Sequence, residues 1–264
     1  MSKTENLMNS IWFGEKSNLS STDIKQRILK SETEADALHN LIELFKIGDF
    51  TQKPLLAQLM NQTKDEAVLN LCIRVFLAVA AHDDLKDPSI LRFLDNADVN
   101  IIETFASAAV TSFSLSVIPY LLALLEEWED INETANVIKD SIDFFLGFEN
   151  KIGEEASIEE IGEYYFKFCN QNKTENYYFQ HELVFTGDMA KKLIHRVMIA
   201  VKQEEPLRME LIPSLLSIYT GEKAPGDYNT IVNDRNYKLF VDYINRLSNT
   251  SWVRGQKYFY GYKI

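Results

Sequence analysis

Cysteine is nearly missing from this chain: two among 264 residues, Cys72 and Cys169. Each falls inside an apolar helical pattern with no second cysteine close by. That excludes a disulfide framework and a cysteine-based zinc site, and it fits a reducing compartment. Both thiols are expected to fill core volume rather than to act as nucleophiles. Long apolar runs are missing too. No stretch approaches the roughly 18 consecutive apolar residues that a membrane span needs. The opening MSKTENLMNSIWFGEKSN has no apolar stretch long enough for a signal peptide, so a cytoplasmic location is expected. Positive charge is in deficit: 27 Lys and Arg against 39 Asp and Glu, a net charge of -12. A chain of that sign is repelled by nucleic-acid phosphates and anionic lipid, and attracts basic proteins. The same charge also serves solubility alone.

Catalytic signatures are absent as well. No P-loop, G-x-G-x-x-G, G-x-S-x-G or H-E-x-x-H occurs. The four histidines, His39, His82, His181 and His195, are scattered. His82-Asp83-Asp84 comes nearest to a metal-ligand cluster, but the pattern assigns it to a solvated loop between helices. His195 lies among Lys191, Lys192 and Arg196, as a solvent-exposed cationic helix face would. Carboxylates are so abundant that some pair always resembles an acid/base couple, and their clustering is better described as surface charge. We therefore expect no catalytic residue, no metal and no cofactor.

Glycine and proline number only ten and six. Apolar residues recur at helical spacing throughout, and two-residue alternation is almost absent, which predicts an all-α protein. Helices are expected at about 21–30, 34–47, 53–62, 66–81, 88–95, 99–113, 117–128, 132–147, 157–170, 188–203, 207–219 and 233–248. Pro54, Pro88 and Pro119 each open a short leucine-rich helix, where a missing N–H costs nothing. A longer helix follows each one, and the prolines stand 34 and 31 residues apart. AVLNLCIRVFLAVA (67–80) is apolar nearly all round, interrupted only by Asn70 and Arg74, so neighbours must enclose it. The period and the early prolines resemble HEAT-type repeats. The expected architecture is a HEAT-like α-solenoid of stacked helix pairs in a single elongated domain, 1–264. Its repeats are clearest at 53–147, with an irregular insertion at about 150–187 and degenerate helices at 188–250, where Pro213 returns. SIWFG (10–14) and the closing SWVRGQKYFYGYKI are aromatic and are expected to form short extended segments capping the stack.

Stacked helix pairs offer a long curved surface and usually bind proteins. The sharpest candidate contact is EEWED, where Trp128 stands among Glu126, Glu127, Glu129 and Asp130. A tryptophan ringed by acids suits a basic partner; the same residues also suit a Trp packed under its own turn with acids in water. Tyr177, Tyr178 and Phe179 form a second candidate. SIWFGEK, FKIGDFTQKPLL, TKDEAVLNLCIR, VIPYLLALLEEWED and KYFYGYK resemble immunity protein family 47, a Bacillus-type family of polymorphic-toxin immunity proteins, from about residue 10 to the end. The resemblance implies a cytoplasmic antidote that binds and occludes a cognate toxin domain; the missing catalytic motifs, the acidic charge and the short apolar runs lead us to expect no enzyme and no nucleic-acid or membrane partner. Two other readings stay open: a general helical-repeat scaffold, and a HEAT-like DNA glycosylase. The second would need a cationic groove, and Lys191, Lys192, Arg196 and Lys202 form too small a set to offset the acidity convincingly.

Overall fold

The computed structural model describes residues 16–264, so the expectation for SIWFG lies outside the described residues. The chain gathers into two compact units. Among the described residues, one holds 19–45 and 49–183, with Ile264; the other holds 16–18, 46–48 and 184–263.

The larger unit carries α1 (Ser21–Leu29), α2 (Glu34–Lys46, whose last residue groups with the other unit), α3 (Lys53–Gln62), α4 (Glu66–Val79) and α5 (His82–Lys86). A 3₁₀ helix, Pro88–Asn96, leads to α6 (Val99–Ala109), α7 (Ile118–Glu127), α8 (Asn132–Leu146), α9 (Glu149–Ile152) and α10 (Ile158–Gln171). Strands β1 (Tyr178–Phe179) and β2 (Glu182–Leu183) close it as an antiparallel hairpin. Short polar side chains start these helices by accepting otherwise orphaned N–H groups. Ser20 accepts from Asp23, Asp65 from Ala67 and Val68, and Asp98 from Ile101. Ser157 and Glu160 form a reciprocal capping box on α10. Pro54 and Pro119 stand in first helical turns, as their fixed φ favours. The segment opened by Pro88 is wound as a 3₁₀ helix with a kink at Leu91 rather than as the expected α-helix.

Packing within this unit follows the pairing of short and long helices. Helix α3 lies on α4 and α7 on α8, while the long helices contact one another in order, α4 on α6 and α6 on α8. Apolar burial explains that order. In α4, Cys72 through Val79 are all buried, as an almost wholly apolar helix requires. Helix α8 buries Ala135, Ile138, Ile142 and Phe145 on one stripe.

The smaller unit holds α11 (Thr186–Gln203), α12 (Leu211–Thr220) and α13 (Tyr237–Ser248), then the antiparallel hairpin β3 (Tyr258–Phe259) and β4 (Tyr262–Lys263). Helix α11 packs on both α12 and α13. Helix α11 begins at Thr186, two residues before the expected start, and Asp188 in its first turn pairs with Arg254 at 2.5 Å. The fold class is all-α: strands among the described residues are confined to two-residue pieces.

The two hairpins share a device. Each has two residues of positive φ at its turn, Gln180-His181 and Tyr260-Gly261. Each covers a helix that ends in a left-handed glycine, Gly147 after α8 and Gly221 after α12. Tyr260 and Gly261 donate their N–H groups to the carbonyls of Ile218 and Tyr219, which the end of α12 leaves unpaired. A Cβ at Gly221 would stand 3.1 Å from Tyr260 Cα, so this approach needs glycine.

Candidate docking surface

Helix α7 places the acidic group. It ends at Glu127, and the N–H of Trp128 donates to the Leu124 carbonyl at 3.0 Å. The N–H of Ile131 then closes the turn on the Trp128 carbonyl at 3.0 Å. Leu121, Leu124 and Leu125 are buried, which turns Glu126, Glu127, Glu129 and Asp130 out to solvent. None of these four acids forms an ion pair among the described residues. Trp128 is half-buried, and its indole N–H is enclosed without an acceptor.

Tyr177, Tyr178 and Phe179 sit elsewhere, and they are buried at 5, 2 and 5% exposure. They pin the first hairpin inside the unit and present no surface to a partner. Tyr178 N–H donates to the Phe113 carbonyl at 2.7 Å. Phe179 meets Phe113 and Phe144 edge-on. Tyr177 stacks on His82, with ring centroids 4.0 Å apart, and burial pushes its hydroxyl up to about 12. His82 opens α5 rather than lying in a loop, and both its ring nitrogens are occupied. Nδ1 is 2.7 Å from the Ser114 hydroxyl and Nε2 is 3.1 Å from the Glu175 carbonyl. Asp84 accepts from the Ala81 N–H at 2.7 Å and from the Lys53 ammonium. All these contacts bind neighbouring helices together. Among the described residues, no group of three or more His, Cys, Asp or Glu side chains is placed to hold a metal ion.

A second acidic group escaped sequence reasoning. Asp140, Asp143, Glu149 and Glu154 converge around the junction of α8 and α9, where Asp143 accepts the Glu149 N–H at 2.8 Å. Burial, then the Asp143 charge, raises the Asp140 pKa. Burial, then Asp143, Asp140 and Glu154, raises that of Glu149, with Lys139 opposing. The polar stripe of α8 was visible in the sequence, but its convergence with α9 depends on the turn at Gly147.

The remaining features offer little chemistry. A groove of about 530 Å³ lies beside α3 and the 3₁₀ helix, lined by Lys53, Gln58, Asn61, Asp84, Asp87 and Arg92 among others. Burial pushes the Cys72 thiol up to about 12 and raises Cys169 as well, which disfavours the nucleophilic thiolate. Of the cationic set, Arg196 is engaged internally, pairing with Glu205 and donating to the Pro206 carbonyl. No helix among the described residues is long and apolar enough to cross a membrane.

A family model described as immunity protein 47 matches residues 7–264, nearly the whole chain. The chain belongs to the immunity protein 47 family. Membership makes it an immunity protein of the kind directed against polymorphic toxins, a class that is typically non-enzymatic and has a toxin protein as partner. No curated protein and no solved structure matches the chain.

Proposed function

We propose that this immunity protein binds its cognate toxin domain directly and occludes it, using the exposed acids at the end of α7. The observation that carries the reading is the set of four exposed carboxylates, Glu126, Glu127, Glu129 and Asp130, which form no ion pair among the described residues and are grouped around half-buried Trp128. Exposed acids without internal partners lose little on binding and gain from any cation brought to them. The partner surface is basic, as the substrate site of a toxin nuclease would be. The acid group at Asp140, Asp143 and Glu149 adds to the same field. Tyr177, Tyr178 and Phe179 act from behind, by holding the hairpin. The helix pairs of the larger unit form a HEAT-like stack, and the protein works in the cytoplasm without catalysis, cofactor or nucleic acid.

Co-expression with the toxin-like domain encoded beside the gene tests this. The wild-type chain restores growth and co-purifies with that domain. A variant with Glu126, Glu127, Glu129 and Asp130 all changed to Lys loses both, with its melting temperature nearly unchanged because the four side chains are exposed. Full rescue by the lysine variant overturns the choice of surface.

A further inference from the structure

Helix α10 breaks several rules that a surface helix obeys. Of its fourteen residues only Ile161 is buried. It rests on α7, with the Tyr165 hydroxyl donating to the Leu115 carbonyl at 3.3 Å. Its outward side is not wholly polar: Phe166 is 68% exposed there. Gly162 lies four residues earlier, on the same face as Phe166. Glycine inside a helix costs about 1 kcal/mol relative to alanine. Nothing in this fold asks for it, because its φ is not positive and a Cβ there would meet nothing within 4 Å. Glu159 and Glu163 are exposed on the same side, seven and three residues before Phe166. Glu160 is explained by the capping box and Glu159 by the positive end of the helix dipole. Glu163, in the second turn, has neither reason; exposed Lys167 stands four residues on, yet Glu163 forms no ion pair among the described residues. Across 149–167 the chain carries six Glu against two Lys.

An exposed phenylalanine, a notch beside it and an acid, Glu163, that no local feature calls for each weaken an isolated protein or leave it neutral. Local rules broken without internal compensation mark sites shaped for something outside the fold. We infer that the outer face of α10, centred on Phe166 and Gly162, is a docking surface for a basic protein that receives Phe166 in an apolar socket rimmed by Lys or Arg. The charge fixes the partner's sign: the Glu residues around Phe166 repel acidic proteins and nucleic acid and complement a cationic rim. Gly162 lets the partner's main chain approach the helix where a side chain would hold it away. Phe166 supplies the desolvated anchor that acids alone lack. The inference rests on the proposed toxin binding and gives it an apolar centre. Because α10 packs on α7, this face and the acids at the end of α7 lie on adjoining helices.

Calorimetric titration with the toxin-like domain encoded beside the gene tests this, using the full chain. Phe166→Ala and Gly162→Leu each weaken binding by about 30-fold or more, the loss expected at a hot spot. Neither lowers the melting temperature, and Gly162→Leu raises it through better helix propensity. If Phe166→Ala proves less stable, Gly162→Leu decides, because nothing surrounds that position. Full affinity in Gly162→Leu, or binding by Phe166→Ala within about twofold of wild type, overturns the inference. If the four-lysine α7 variant fails to bind in that same case, the proposed function stands without this face. No binding by the wild-type chain overturns both.

Discussion

Asp49 and Arg74 show two opposite fates for a charge taken partly or wholly out of water. Asp49 receives the Lys25 ammonium at 2.6 Å, the Ser21 hydroxyl, and both the N–H and hydroxyl of Thr51 at 3.0 and 2.6 Å. Burial by itself would raise its pKa; the Lys25, Ser21 and Thr51 bonds outweigh burial and hold the carboxyl well below the ordinary range. Its folded pKa is thus depressed. The stability it contributes is whole above an unfolded value of about 3.9 and drains away as pH falls through the folded value. Asp49→Asn should cost about 2 kcal/mol at pH 7, and the deficit should shrink below pH ~4. Urea midpoints at pH 7 and pH 3 measure the two gaps. Arg74 has no such company. It is 4% exposed, its Nε and Nη1 atoms have no partner among the described residues, and burial lowers its pKa to about 10. A buried charge without a counter-charge costs free energy that an apolar side chain of similar length does not. Arg74→Met should therefore stabilise the protein by about 1–3 kcal/mol, read as a higher melting temperature. The sequence marked Arg74 as an interruption of an apolar helix; only packing shows that the interruption lies inside.

At the scale of elements, the ends of helices were more legible than their joints. Ser157 and Glu160 spell a capping box three residues apart, and α10 starts there. Gly147 and Gly221 end α8 and α12 in the left-handed conformation that glycine tolerates. The first hairpin escaped notice because two-residue strands are too short to show alternation, while the second falls in the aromatic closing stretch expected to be extended. Their shared signal is the dipeptide Tyr-Phe before a tight turn, at 178–179 and 258–259. The Pro88 segment reads as an α-helix and folds as a 3₁₀ helix because Asn61 of α3 reaches across to its backbone. Asn61 donates to the Ile90 carbonyl at 2.8 Å and accepts the Phe93 N–H at 2.9 Å. Asn61→Leu leaves both groups unpaired and should cost about 2 kcal/mol. The loss should appear as faster hydrogen exchange at Phe93, with α7 and α8 unaffected.

For the whole molecule, charge is the property that outlasts detail. A net charge of -12 sets the sign of any partner met by diffusion. Association with the toxin-like domain should slow by about tenfold between low and high salt, while dissociation changes much less, because screening acts on the approach and not on the packed anchor. Stopped-flow rates at several ionic strengths check this. The candidate surface was half legible in advance. Glu126, Glu127, Glu129 and Asp130 are exposed as their spacing on a leucine-rich helix requires, because the leucines take the inward side. Tyr177 to Phe179 look equally available in the sequence, yet the hairpin folds them into the larger unit.

Alone, the sequence determined most of the helices, several of their caps, the acidic sign and the family, because each is written in neighbouring residues or in the sum of charges. Tertiary structure decided which side chains reach water. It buried Arg74 and the Tyr177–Phe179 trio and left Phe166 bare beside Gly162. Solvent exposure depends on which distant elements come to cover a residue, and no local pattern carries that.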